Sequence, residues 1–132
     1  MRNFGKFFFV VALLVALPLT LAQKSNNGVP AYNVAQEQTF SGVIKEIKDY
    51  QCPVTGTVGS HIAIAAGSDI LEVHLAPSTF LKQYDIVLKP GDKVTVTGIK
   101  FEFNGKPSVL ARTVSSGQST FSFRDQKGRP EW

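Results

Sequence analysis

The sequence predicts an all-β domain with one short helix, its five strands rolled into a closed or nearly closed barrel. Three observations carry this. From Gln38 onward, short runs rich in Val, Ile and Thr are separated by Gly, Pro, Asn and Ser turn signals. Lys93 to Ile99 alternates strictly, with Val94 and Val96 on one side and Thr95 and Thr97 on the other, the period of a strand with one buried face. Only Pro77 to Tyr84 carries helical spacing, through Phe80, Leu81 and Tyr84.

The 132-residue chain divides before it folds. Arg2 and Lys6 precede an unbroken apolar run from Phe7 to Leu17, and Thr20-Leu21-Ala22 supplies the small residues a signal peptidase reads, so residues 1–22 are expected to be an export signal cleaved after Ala22. The run falls short of the roughly 18 to 20 residues of a bilayer-spanning helix, which leaves no stable membrane anchor after cleavage. Residues 23–37 contain Asn26-Asn27-Gly28 and Pro30 without an apolar period and are expected to be a flexible lead-in; residues 38–132 are the domain. Lys and Arg number 14 against 10 Asp and Glu, and two of the bases lie in the leader, so the mature chain carries a net charge of only +2. No basic run with interleaved aromatics exists to grip a polyanion. Cys52 is the only cysteine, which excludes an intramolecular disulfide.

Thr39 to Ile47 is the first strand, and Gly42 within it marks an expected bulge or bend, because Val43, Ile44 and Ile47 do not keep one phase. Gln51 to Gly59 reads as a loop containing Cys52-Pro53. Ser60 to Ala66 and Ile70 to Ala76 pair next, joined at Gly67-Ser68. A two-residue turn there sets Ile64 opposite Leu71, Ile62 opposite Val73, Ala63 opposite Glu72 and His61 opposite His74, with the histidines on the face away from the isoleucines. The Pro77 to Tyr84 helix follows, with proline suited to a first turn. After the Lys89-Pro90-Gly91-Asp92 turn and the alternating fourth strand, Asn104-Gly105 favours a tight hairpin between Lys100 to Phe103 and Val109 to Ser115. Thr120 to Arg124 is a shorter alternating run. The terminal Trp132 is expected to dock on its own domain, since its apolar area is costly to leave in water. The expected interior consists of Ile62, Ile64, Leu71, Val73, Leu75, Val94, Val96 and Ala111.

Five strands with a helix between the third and fourth is the order of the oligonucleotide- and oligosaccharide-binding (OB) Greek-key barrel. Phe40-Ser41-Gly42-Val43-Ile44 and Gly91-Asp92-Lys93-Val94-Thr95-Val96-Thr97-Gly98 look like OB sequences. Gly59-Ser60-His61-Ile62, Glu72-Val73-His74-Leu75-Ala76-Pro77, Ala111-Arg112-Thr113-Val114 and Arg124 to Trp132 together resemble the small exported bacterial OB-type domains that include the magnetosome-associated MamS/MamX domain. The resemblance spans Thr39 to Trp132. It implies an OB fold in the cell envelope and a setting beside metal and redox functions. Ala76 stands where the pattern has glycine, so the backbone there need not be left-handed. Covalent c-type haem is excluded by the absence of Cys-x-x-Cys-His.

Two candidate sites emerge. His61 and His74, with Glu72 and Cys52 as further donors, suit copper or zinc, but two certain ligands do not make a specific site, and a hydrogen-bonded or half-exposed cross-strand pair without a metal is the commoner use of such histidines. Phe101 and Phe103, with Lys106 beside the Asn104-Gly105 turn, could stack against a ligand, or could be core. No Gly-x-Ser-x-Gly, phosphate loop or His-Glu-x-x-His is present, so no enzyme is expected. The expected function is a periplasmic or secreted binding module for an envelope protein, peptide or glycan, with a metal-handling accessory domain as the alternative. Single-stranded nucleic acid ranks third, because Ser60 to Ala76 offers no Phe, Tyr or Trp for base stacking.

Overall fold

The computed structural model describes residues 28–132; the expected export signal and the start of the lead-in lie outside the described residues. Six strands and one helix follow in order: β1 (Gln38–Cys52), β2 (Thr57–Ala66), β3 (Asp69–Pro77), α1 (Ser78–Gln83), β4 (Lys93–Phe103), β5 (Lys106–Ser116) and β6 (Ser119–Ser122). The sheet order is β3-β2-β1-β4-β5-β6, and a further parallel pairing joins β3 back to β5, so β1 to β5 form a ring with the strand adjacency expected of the OB order. β6 extends β5 at an edge, so the strands number six rather than five. The expected Thr120 to Arg124 run is this strand, shifted to begin at Ser119.

All eight expected interior residues are buried. Ile44, Val109, Val114 and Phe123 join them, with Phe80 and Leu88 from the connection between β3 and β4. The helix is shorter than expected. Pro77 ends β3 and precedes the helix as its cap, and Tyr84 follows as the C-cap, exposed although its ring lies 4.7 Å from that of Phe80.

Two bulges explain why apolar residues change phase along β1 and β5. In β1 the pairing passes from Ile44↔Ile64 to Glu46↔Ala63, which leaves Lys45 as the extra residue and turns Glu46, Lys48, Tyr50 and Cys52 onto the face away from the core. The bend expected at Gly42 therefore falls three residues later. The backbone pair of Ile44 is taken up by the Gly91-Asp92 turn, with Gly91 N–H donating to Ile44 O at 2.8 Å and Ile44 N–H to Asp92 O at 2.9 Å. Gly42 answers a different requirement: a side chain there would run into the Ala65 carbonyl where β1 passes from β4 to β2. In β5 the extra residue is Arg112, between the pairs Thr97↔Thr113 and Gly98↔Ala111. Its carbonyl accepts from both Phe123 N–H and Arg124 N–H.

The hairpin turns behave as their sequences dictate. Asn104 and Gly105 take φ values of 50° and 74°, the positive pair a type I′ turn needs. Gly67-Ser68 is a two-residue turn, and the β2–β3 register runs as expected from Ala66↔Asp69 out to His61↔His74. Ala76 is not among the residues with positive φ.

The end of the lead-in is held rather than loose. Val34–Gln36 forms a 3-10 helix capped by the Asn33 side chain. Tyr32 Oη donates to Glu37 Oε1 at 2.7 Å, and Glu37 receives the Arg112 guanidinium through both oxygens. Arg124, itself buried, lies between the Tyr32 and Trp132 rings at 5.1 and 5.2 Å. Trp132 thus docks on the domain, with its ring 6.4 Å from that of Phe80.

Candidate metal centre

Strand alternation builds a second cluster behind the core. Val73 faces the ring's interior, so Glu72 and His74 face the other way; Leu110, opposite His74 in the parallel β3–β5 register, and Ile99, opposite Leu110, share that face. Cys52, Ile99, Phe103 and Leu110 are buried yet stand outside the main core cluster. His61 and His74 sit among them at 2% and 1% exposure.

The structure brings the two sets of sequence candidates together. His74 packs against Phe101 and Phe103, with ring centroids 5.3 and 5.0 Å away, and meets His61 edge-on at 4.7 Å. Cys52 Sγ lies 3.5 Å from His74 Nδ1. One donor atom from each of Cys52, His61 and His74 lies within 4.8 Å of the others. Lys106 is exposed at the rim, where a pocket of about 330 Å³ is lined by His61, Glu72, Glu46, Lys48, Ile70 and Lys106. Glu72 stands beside the cluster rather than in it, for its Oε1 accepts a 2.6 Å bond from Tyr50 Oη.

Cys52 reaches the histidines from a strand, whereas the sequence suggested a loop over Gln51 to Gly59. The connection is only a tight turn: Thr55 and Gly56 N–H both donate to Cys52 O, and Cys52 pairs with Thr57 across it. Tyr50 escaped the sequence reading. Its ring stacks on His61 at 3.7 Å with the planes 4° apart, a contact foreshadowed only by the Tyr50–Cys52 spacing, which puts both on one face once β1 is extended.

Burial sets the electrostatics. Removal from water pushes the Cys52 thiol pKa up and the His61 imidazole down, and it holds His74 at about 4 with help from the neighbouring His61. Near neutral pH the cluster is a protonated thiol and two neutral rings. His61 Nδ1 faces the Lys48 carbonyl at 3.3 Å, and a carbonyl can only accept, so Nδ1 carries the proton and Nε2 keeps its lone pair. His74 Nε2 has no hydrogen-bond partner, the sole such buried side-chain atom among the described residues. An unpartnered buried imidazole nitrogen costs stability that neutral packing alone does not return.

The geometry defines a small all-β ring domain carrying a buried thiol–imidazole cluster. The family model of the MamS/MamX magnetosome proteins matches residues 36–121, and the chain belongs to that family. The match contains every residue of the cluster and ends before the Arg124 to Trp132 segment. No curated protein matches the chain.

Proposed function

We propose that this protein is an exported, non-enzymatic envelope module whose ligand is a metal ion, a copper- or zinc-handling accessory domain. The observation that carries the reading is the convergence of Cys52, His61 and His74, all buried, with donor atoms within 4.8 Å. Thiolate and imidazole are the donors those two metals prefer. The orphaned His74 Nε2 and the fixed tautomer of His61 support it, since both describe rings prepared for something other than each other. Phe101 and Phe103 then serve as the apolar wall of the centre rather than as stacking platforms. The pocket over His61 gives an ion or a donor protein access from the rim.

Metal analysis of protein exported by its own leader and purified without a histidine tag tests this. About one copper or zinc per chain is expected in the wild type and none in Cys52→Ser. Equal metal contents in the two proteins would remove the reading.

A further inference from the structure

The cluster's charge selects among metals. This inference rests on the metal-handling reading. Binding exchanges the thiol proton for the metal: a Cu(I) ion and the Cys52 thiol give a copper–thiolate bond, and one proton leaves to solvent. With two neutral imidazoles, the shell Cys⁻/His/His around Cu⁺ has no net charge. Around Zn²⁺ the same shell keeps one positive charge in a site walled by Phe103, Ile99 and Leu110, and burying an uncompensated charge is expensive. Zinc would also require a fourth ligand. Glu72 is the nearby anion, and its carboxylate is engaged by Tyr50. No methionine follows Met1, so no thioether is available either.

We infer that the centre binds a soft monovalent cation, Cu(I), through Cys52, His61 and His74 as a neutral three-coordinate site, with Glu72 outside it. Three donors, one of them a thiolate, suit Cu(I), and a dry apolar wall shields the bond from water. The Tyr50 ring, stacked on His61, holds the plane of that imidazole.

The test is an anaerobic titration of the metal-free protein with Cu(I) supplied as its bicinchoninate complex, and separately with Zn(II), on wild type, Cys52→Ser and Glu72→Gln. The wild type is expected to withdraw one Cu(I) from the chelator. Cys52→Ser should lose more than the roughly 10- to 100-fold typical of removing an outer partner. Glu72→Gln should lose less than the roughly 10-fold that removing an outer partner costs at the least, because the Glu72 carboxylate bonds to Tyr50 rather than to a ligand ring. X-ray absorption of the loaded wild type, which does not depend on any variant folding, should fit one sulfur and two nitrogen donors. Tighter binding of Zn(II) than Cu(I), or Cu(I) binding that collapses in Glu72→Gln, would overturn the neutral-site inference while leaving metal handling in place. Neither metal binding better to the wild type than to Cys52→Ser, or a copper shell without sulfur, would overturn both.

Discussion

At the scale of single residues, His74 concentrates the cost of the buried cluster. Its pKa of about 4 lies well below the ~6.5 of an unfolded histidine, so between those values the unfolded chain binds more protons than the folded one. Stability of the metal-free protein should therefore be intact above about pH 6.5 and fall as the pH drops toward 4, by about 3 kcal/mol at full effect. His61, also depressed, acts in the same direction. Urea midpoints at pH 7 and 4.5 measure the slope, and most of it should disappear in His74→Gln. A slope unchanged by that substitution would place the acid sensitivity elsewhere.

Elements show what the sequence does and does not disclose. The His61–His74 pairing was legible because a two-residue turn leaves one register, and a slip would have exposed Ile62 and Ile64. Cys52 was harder, since Cys-Pro followed by two nearby glycines has loop chemistry, and only the pairing with Thr57 shows how short the turn is. Contact of Phe101 and Phe103 with His74 could not be read at all: it depends on the β3–β5 pairing, which no local period encodes. The broken apolar phase of β1 signals its bend, but Gly42 does not mark the place, which is Lys45, because a missing side chain signals both bulges and close backbone approach. The distinction is measurable. Gly42→Ala must displace the Ala65 carbonyl, and overpacking of that kind should cost about 1 to 3 kcal/mol in chemical denaturation. Lys45→Ala, at an exposed bulge position, should stay within about 0.5 kcal/mol.

For the whole molecule, the ring separates a wholly apolar interior from a second buried cluster, outside it, that carries the thiol and the imidazoles. Ile64→Ala in the interior should lower stability by about 2 to 4 kcal/mol, while Thr95→Ala on the solvent side should change it by less than about 0.5 kcal/mol. Similar losses at both positions in thermal or urea melts would mean the two faces are misassigned. The Tyr32–Arg124–Trp132 stack and the Glu37–Arg112 pair tie the segment before β1 and the carboxy-terminal Trp132 to the β5 bulge.

The β3–β5 seam carries a kinetic consequence. β1 with β2, β2 with β3, and β4 with β5 meet through hairpins, whereas β1 with β4 and the seam join residues far apart in the chain, and the seam does so through only the Glu72↔Ser108, Val73↔Val109 and His74↔Leu110 pairs. Non-local closures pay their entropy before contacts repay it, so the seam should form late. Until it does, Cys52 and His74 can lie side by side on the β1–β3 meander without the Phe101 and Phe103 wall. During refolding, pulse labelling with a thiol reagent should find Cys52 reactive after β-structure has appeared, and protected only when the final rise in native fluorescence is complete. Protection that coincides with the first appearance of strands would put closure of the seam early. On that order of events a newly made chain would pass through an interval in which its one thiol is open to capture, by metal or by oxidant, before the fold seals it.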